Sequence, residues 1–319
     1  MRPFFEKHVL QQQPFKPMII VVDTTKAGSA SNTFVLPIIK STTESVKIYW
    51  GDGTSSMGVN GDNTHVYAAS GIYTIKIESN LFGGIYFNNT GDKAKITKVV
   101  SFGHGVIRSL ATSFYGCSSL LSIDIGDIVN NGVDAQGMYR GCTSLTTVPL
   151  FNLSSVTNTY TMFYKCTALT TVPLFDLSKV TNASYMFYQC AALTTVPLLN
   201  LSKVTNASYM LMQCIALTTV PLFDLSKVTN ASYMFYQCSN ITTVPLLNLS
   251  SVTNAGNMFS GVTLTTQSYS DFLINLATLP LQSGVSFHGG NSKYNPTAAI
   301  ARAYLISNFG WTITDGGAA

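Results

Sequence analysis

Six cysteines are the residues of this chain with the most evident capacity for chemistry, and they recur at intervals of 24 or 25 residues. They are Cys117, Cys142, Cys166, Cys190, Cys214 and Cys238. A zinc site requires cysteine or histidine ligands grouped at short spacing, whereas each cysteine here stands alone and the four histidines are far apart. Neighbouring cysteines in a stacked repeat would lie about 4.8 Å apart, which a disulfide can span, but parallel side chains do not match its dihedral angle of about 90°. The pattern therefore predicts buried, reduced thiols in a structural core ladder, with no metal and no other cofactor.

The cysteine spacing belongs to a repeat of the whole sequence. Residues 166–189 and 214–237 are identical at all but one position. A fixed period of this length is typical of a solenoid, in which each unit stacks on its neighbours. The register extends back to Ile96 and forward to Val262, where valine replaces cysteine. This replacement indicates that the position requires a small apolar side chain and not a thiol.

Each 24-residue unit divides into predicted elements. We expect a short strand at residues 169–172 with its apolar side chains inward. Pro173 should mark the end of this strand, because proline inside a parallel sheet would remove a ladder hydrogen bond. We expect residues 181–182 to cap a short helical turn that carries Met186 and Phe187 into the core.

Two columns of the repeat are candidates for a binding surface. The candidate residues are Tyr185, Tyr209, Tyr233, Lys179, Lys203 and Lys227. An aromatic stripe can contact carbohydrate or protein where it projects, but a half-buried column beside Met and Phe fits the same spacing. A second tyrosine column comprises Tyr164, Tyr188 and Tyr236. The ordinary role of a lysine column is a solvated face.

The N-terminal quarter has the pattern of a small β-sandwich. We predict strands at residues 18–22, 34–39, 46–50 and 72–77. Residues 50–54, Trp-Gly-Asp-Gly-Thr, predict a tight turn, because glycines permit positive φ and the side chain of Asp52 can bond to nearby backbone. Asp52 and Asp62 could suggest calcium, but regularly spaced oxygen ligands are missing. We therefore interpret Asp52 as a structural residue of the turn.

The two ends of the chain have patterns of their own. Residues 1–16 have the character of an attachment arm, in which Phe4, Phe5 and Phe15 anchor in the groove of a partner or pack on the first domain. Residues 265–319 contain two helical and two strand-like segments that should cap the open end of the repeats. The predicted helices span 269–279 and 297–307, and the predicted strands span 285–287 and 311–314.

Two sets of phrases resemble known families. Residues 50–53, Trp-Gly-Asp-Gly, with the later His-Val-Tyr and Gly-Ile-Tyr phrases, resemble the signature of immunoglobulin-like domains of the polycystic-kidney-disease (PKD) type. The phrase Met-Phe-x-x-Cys-x-x-Leu, at 162–169 and 186–193, resembles the leucine-rich-like repeats of BspA-type surface proteins and Mycoplasma-type lipoproteins. The ending at 301–317 is similar to the closing segment of phage and bacterial proteins that join such modules.

These resemblances imply a mainly β fold with short helices. After the arm at 1–16, we expect a PKD-like β-sandwich at 17–92, a leucine-rich-repeat-like solenoid with a 24-residue period at 93–264, and an α/β cap at 265–319.

Composition narrows the function. Only 10% of the residues are charged, the net charge is +4, and no run of Lys or Arg occurs, so we expect no nucleic-acid partner. No apolar run is long enough to span a bilayer, the N-terminus lacks the pattern of a secretory signal, and catalytic phrases such as G-x-S-x-G are missing.

The first hypothesis is a non-enzymatic phage virion surface protein, such as a fibre, spike or decoration protein. Its arm would bind other virion proteins, and its solenoid would bind a host surface protein or glycan. The alternative is a bacterial cell-surface adhesin of the BspA type, and homo-oligomers are compatible with either hypothesis.

Overall fold

The computed structural model describes residues 16–40, 43–79, 81–103, 106–107, 109–124 and 134–319. The three phenylalanines of the predicted arm, Phe4, Phe5 and Phe15, lie outside the described residues. Within the described part the chain is mainly β-structure and turns, with two short α-helices near the C-terminus.

The first half of the chain contains most of the regular strands. They are β1 (Met18–Asp23), β2 (Thr33–Ile39), β3 (Lys47–Tyr49), β4 (Ser55–Met57), β5 (Gly61–Val66), β6 (Ile72–Glu78), β7 (Leu81–Phe82), β8 (Gly84–Ile85), β9 (Ile96–Phe102), β10 (Val106–Ile107) and β11 (Ser122–Ile123). A short 3₁₀ helix, Lys93–Lys95, precedes β9. The residues of β1 alternate between buried and half-buried, as expected for a strand with one face in the core. The four strands predicted in this region are confirmed as β1, β2, β3 and β6, with ends that differ by one residue.

The strands form two main sheets. One has the order β11-β9-β1-β6-β3-β4, and the other has the order β5-β2-β8. Strand β1 pairs antiparallel with both β6 and β9, while β9 pairs parallel with β11, with Ser122 opposite Lys98. This 24-residue offset is the register predicted from the repeat. The larger sheet therefore runs without interruption from the N-terminal strands into the first repeat units.

A buried ion pair connects the segment that precedes β9 with residues 29–35 of the N-terminal region. Lys95 Nζ lies 3.6 Å from Asp92 Oδ2, and both side chains are almost completely buried. The Asp92 carboxylate accepts hydrogen bonds from the Ser29 backbone and hydroxyl and from the Val35 backbone, at 2.6, 2.7 and 2.8 Å. The Lys95 ammonium donates to the backbone oxygens of Ser29 and Thr33 at 3.1 and 2.7 Å. Both charges are thus compensated, which a buried ion pair requires.

The repeat units share one continuous apolar core. In one unit its members are Leu193, Val196, Leu199, Leu201, Val204, Ala207, Met210, Leu211 and Cys214, all at most 5% exposed. The same positions are buried in the neighbouring units, and Val262 is fully buried where the series of cysteines ends. Each unit therefore covers the apolar side chains of the next, as expected for stacked repeats.

A hydrogen-bonded spine connects successive units. The N–H groups of Ala183, Tyr185, Phe187 and Gln189 donate to the next unit, to the carbonyls of Asn206, Ser208, Met210 and Met212, at 2.8–3.0 Å. The N–H groups between them close turns within the unit: Met186 donates to Ala183, Tyr188 to Tyr185, and Cys190 to Phe187. Successive N–H groups thus alternate between joining two units and closing a turn.

The predicted strand at 169–172 is wrong as an element, although its side-chain directions are correct. Leu169 and Val172 are buried, but the backbone joins the previous unit there through a bond from Thr170 N to Thr146 O at 3.0 Å, and no strand forms. The regular parallel bridges lie instead at the asparagine column, for example between Asn182 and Asn206.

The predicted helical turn after residues 181–182 is also wrong. Met186 and Phe187 are buried as expected. However, Tyr185 and Gln189 each adopt a φ of 57°, which an α-helix cannot include. The Asn182 side chain accepts from Ser184 N at 3.1 Å and so forms a local turn instead of a helix cap.

The C-terminal segment covers the last unit. It comprises α1 (Thr266–Leu276), β12 (Ser286–His288), α2 (Pro296–Phe309) and β13 (Thr312–Thr314), which confirms the two predicted helices and two predicted strands. Helix α2 begins with Pro296 after an Asn295 cap and ends at Gly310, whose φ is 65°. Neither helix of the described residues has the length and apolar character that crossing a bilayer requires.

Candidate functional site

The three candidate tyrosines occupy an unusual backbone position. Tyr185, Tyr209 and Tyr233, here called the tyrosine row, have φ values of 57°, 60° and 57°. Bulky residues rarely adopt this left-handed conformation. The turn requires it, because Gly137 holds the same position in an earlier unit with a φ of 59°. The conformation places each tyrosine at the outside of its turn, half-buried between the units.

The rings of the tyrosine row stack on one another. The ring centroids of Tyr185 and Tyr209 are 4.3 Å apart and those of Tyr209 and Tyr233 are 4.7 Å apart, with interplanar angles of 6°. The ring faces are therefore covered by neighbouring rings, which leaves the edges and hydroxyls for an external partner. Burial, together with the neighbouring Tyr209, raises the pKa of Tyr185 to about 12, so its hydroxyl stays protonated. The row therefore presents ring edges and hydroxyls and not an open aromatic platform for a sugar.

A second aromatic column includes a cation. The rings of Tyr164 and Tyr188 stack with centroids 4.6 Å apart. The Arg140 guanidinium lies between Tyr115 and Tyr164, 4.8 and 4.6 Å from the two ring centroids. Arginine thus replaces an aromatic ring in the column and is held by cation–π contacts on both sides.

A glutamine ladder runs beside the tyrosines. Gln189 donates to Gln213 and Gln213 donates to Gln237, both at 2.7 Å, through their side-chain amides. All three residues have positive φ, and Gly141 and Gly261 occupy the same position in other units. The hydrogen bonds between the glutamine side chains of successive units help to compensate for the strained backbone at this position.

The three candidate lysines, Lys179, Lys203 and Lys227, are exposed and form the lysine row. Three residues before two of them, Asp176 and Asp224 accept backbone hydrogen bonds from the serines two positions on, both at 3.0 Å. The hydrogen bonds from Ser178 lower the pKa of Asp176, as the bonds from Ser226 do for Asp224. These carboxylates are engaged in turns, while the lysine side chains are exposed to solvent.

The six cysteines are free and fully buried. From the second onward each thiol donates to a backbone oxygen of the preceding unit, at 3.0–3.2 Å. Burial raises the pKa of every one of these thiols, to about 12 for Cys238. A buried, protonated thiol is a poor nucleophile and a poor metal ligand, so this arrangement serves packing.

The N-terminal turn brings its motif residues together. Asp52 accepts from the backbone and hydroxyl of Thr54 at 2.9 and 2.6 Å, and its other oxygen lies 2.7 Å from His65 Nε2. His65 stacks on Trp50 with ring centroids 4.7 Å apart, and Tyr67 donates its hydroxyl to the Trp50 backbone oxygen. Burial raises the pKa of Asp52, but the hydrogen bonds from Thr54 and His65 outweigh this and lower it to about 2.

The calcium interpretation of Asp52 finds no positive support in this geometry. Its carboxylate oxygens are directed at Thr54 and His65, while Asp62 is exposed on β5. Among the residues that the structure describes, no three His, Cys, Asp or Glu side chains gather as metal ligands would.

Sequence reasoning missed a fourth repeated column, the leucine row. It consists of Leu150, Leu174, Leu198, Leu222 and Leu246, which are 53–60% exposed. Each follows a proline, and the last four lie at the apex of a three-residue turn, as in the bond from Leu199 N to Pro197 O at 2.8 Å. The signal was present as a Pro-Leu pair that recurs five times at 24-residue intervals, but leucine is usually assigned to the core.

Comparison with known proteins supports the repeat. The model of the family described as "Mycoplasma protein of unknown function, DUF285" matches residues 85–198 and 170–272, which together make up more than half of the chain. No curated protein is similar enough to match the chain.

Proposed function

We propose that this chain, which belongs to the family of Mycoplasma proteins of unknown function, DUF285, is a non-enzymatic attachment protein that displays repeated side chains to a surface. The observation that carries this proposal is the tyrosine row, in which three identical side chains are held in register by stacked rings 4.3 and 4.7 Å apart. The lysine row repeats at the same interval along the chain. Weak contacts that recur in this way add through multivalency.

The proposed architecture is a leucine-rich-repeat-like solenoid at 93–264, with a PKD-like sandwich at 17–92 and a cap at 265–319. The spine bonds between successive units support the solenoid. The packing of Trp50, His65 and Tyr67 supports the sandwich, because these residues come from separate phrases of the motif. In this proposal residues 1–16 form an arm that attaches to other structural proteins.

The partner of the repeats in this proposal is a host surface protein or glycan. The stacked rings direct the interaction to hydroxyl edges, which hydrogen-bond to polar groups, and the lysines add positive charge. A polar partner, and in particular one with regularly spaced acidic groups, fits these rows better than an apolar one.

We propose a location at the surface of a phage virion, on account of the sparsely charged, Thr-, Ser- and Asn-rich sequence and the similarity of residues 301–317 to the closing segment of phage and bacterial proteins. The second candidate is a bacterial cell-surface adhesin, which the Mycoplasma family favours. Mass spectrometry of purified virions and of peptides shaved from intact cells separates the two locations. Peptides of this chain in virions support the first, peptides from shaved cells support the second, and their absence from both contradicts an attachment role.

Removal of one complete unit, residues 190–213, tests multivalent display. The remaining units should stack, because each contacts only its neighbours, and circular dichroism and thermal melting should show a folded protein. Binding to the particle or cell identified by mass spectrometry should fall by a modest factor. Complete loss of binding with the fold intact would indicate one discrete site, and unchanged binding would place recognition elsewhere.

Replacement of the lysine row provides the matched control. Lys179→Gln, Lys203→Gln and Lys227→Gln together keep the length of the stack and remove only exposed charge. If the lysines contact an acidic partner, binding should weaken and lose much of its salt dependence. Binding that remains equally salt-sensitive would exclude the lysine row from the interface.

A further inference from the structure

The leucine row is a repeated apolar feature that the proposed attachment function does not use. The five side chains are 60, 59, 59, 59 and 53% exposed, in chain order. The residues on either side of each Pro-Leu pair are buried, for example Val196 at 5% and Leu199 at 1%. The turn after proline thus forces one leucine per unit outward while its neighbours stay in the core.

The five leucines of the row together expose a large apolar area. Its side chains together expose on the order of 500 Å², which is near the upper limit for a patch on a monomeric protein. At its C-terminal end, Leu246 and Ile274 line a groove of 590 Å³. Ile274 also lines a neighbouring groove of 460 Å³ with Ile300 and Tyr304, which are 76% and 42% exposed. The first groove also has polar lining residues, among them Gln267 and Asp271, so the apolar residues of α1 and α2 adjoin the end of the row across a mixed surface.

We propose that the leucine row is the interface through which two copies of this chain pair. A stable interface of standard size buries about 800 Å² on each partner. The leucines supply more than half of this area, and the half-buried prolines beside them and the apolar residues on α1 and α2 supply the remainder. Because a two-fold axis makes an interface self-complementary, five identical side chains at equal intervals match a second copy of themselves.

The charges near the row permit this pairing. The nearest acidic residues along the chain, Asp176 and Asp224, each accept a hydrogen bond from a following serine, so their carboxylates are held in local turns. In every unit with a Pro-Leu pair, a polar Asp or Asn follows three residues after the proline, and the two residues between them are apolar, as Leu174 and Phe175 are. In the central unit this polar position is the neutral Asn200, so the middle of the surface that two copies would bring together has no acidic residue, as is usual for dimer interfaces. The exposed carboxylates of Asp176 and Asp224 lie to either side of it, and Asp271 lies beside Leu246 at the C-terminal end.

The molar mass of the intact protein in solution tests the proposal. We expect size-exclusion chromatography with light scattering to give twice the 34.4 kDa of one chain. Leu198→Lys, at the centre of the row, should give the mass of one chain with an unchanged melting curve at low concentration. Ile215→Lys is the matched control, because Ile215 is 50% exposed but lies outside the row, and it should remain dimeric. A wild-type protein that stays monomeric at about 100 µM, where an interface of standard size would be occupied, overturns the proposal.

Cross-linking gives an independent test that does not depend on losing the dimer. The six native thiols are buried, so Leu198→Cys introduces the one accessible cysteine of the described residues. Mild oxidation should convert this variant into a disulfide-linked dimer, whereas Ile215→Cys should stay a single chain. Equal cross-linking of the two variants, or none of Leu198→Cys, contradicts a contact at the leucine row.

Discussion

The N-terminal sheets and the repeat stack both bury an apolar core, but polar contacts of different kinds hold them. In the stack, the same bonds recur every 24 residues, such as the threonine hydroxyl of Thr194 on the Thr170 carbonyl. In the N-terminal sheets the polar contacts do not recur at a fixed period, and those of the buried ion pair join distant parts of the chain, as between Lys95 and Ser29. Redundant contacts spread the effect of a mutation over many units, while a unique contact concentrates it in one residue.

The largest effect is expected at the buried ion pair. Asp92→Ala leaves the Lys95 ammonium buried without its counter-charge and removes the acceptor of three hydrogen bonds. It should lower the free energy of unfolding by about 3–5 kcal/mol. The control Asp176→Ala, at an exposed turn of the stack, should cost about 1 kcal/mol or less. Urea denaturation measures both, and equal losses would contradict the difference between the two regions.

Acid should weaken the N-terminal region through Asp52. Its pKa is about 2 in the folded protein and 3.8 in the unfolded chain. The carboxylate therefore stabilises the fold fully above pH 4, and this contribution is lost as the pH falls towards 2. Unfolding is followed by Trp50 fluorescence in a Trp311→Phe background. Asp52→Asn should have a lower free energy of unfolding than the parent at pH 6, and this difference should largely disappear at pH 2. A difference that does not change with pH would mean that the charge of Asp52 does not contribute to stability.

A smaller and favourable effect is expected inside the stack. The hydroxyl of Tyr139 is buried with no hydrogen-bond partner among the described residues. Its ring stacks between Phe114 and Phe163, both with centroids 5.6 Å away. Tyr139→Phe removes the unsatisfied hydroxyl and should stabilise the protein by about 1 kcal/mol. The reciprocal Phe163→Tyr should destabilise it, and thermal melting compares the two variants.

The smallest effect is expected at the cysteine column. Cys190→Val removes the bond from the thiol to the Phe163 carbonyl, but that carbonyl keeps the N–H of Cys166, and Val262 shows that valine fits the column. The change should alter stability by about 1 kcal/mol or less. Thiol titration should find six free groups in denaturant and slow reaction in the native protein. Recovery of disulfide-linked peptides from adjacent units would contradict the packing role.

The register of the repeat was predictable because its period is fixed in the sequence. Subtracting one period placed Ile96 in the stack, and β9 begins there. The backbone of each unit was not predictable, because helical and strand propensities apply to regular elements. Here hydrogen bonds between units hold Tyr185 and Gln189 in a conformation that neither residue prefers. Glycine at residue 141, in register with Gln189, was the available signal.

The candidate site was predictable only in part. The stacking of the tyrosine row follows from its spacing, whereas the covering of its ring faces depends on side-chain directions that no pattern records. The pair of Asp92 and Lys95 was missed because its partners lie 57–66 residues away in sequence. The leucine row was missed because a single turn, and not the hydrophobicity of the residue, decides that leucine points outward.

The spine bonds described above have an electrostatic consequence. The N–H of Tyr185 points towards the next unit, while the N–H of Thr181 points towards the previous one, to Thr157. The peptide dipoles on different sides of the stack therefore oppose each other, as in a β-sheet and unlike in an α-helix. The backbone of the stack therefore produces little net electric field along its axis. We expect the binding of charged partners to depend on the side chains of the stack and not on a dipole at its ends.

The opposed peptide dipoles also determine which kind of segment can cover the C-terminal end of the repeat stack. Its last unit presents a donor, the N–H of Phe259, and an acceptor, the carbonyl of Val262. The coil that contains β12 meets both, with the His288 oxygen at 3.0 Å and the Asn291 N–H at 2.9 Å. The end of a helix offers donors alone or acceptors alone. An extended segment is thus required at this end, and the two helices can only support it from outside.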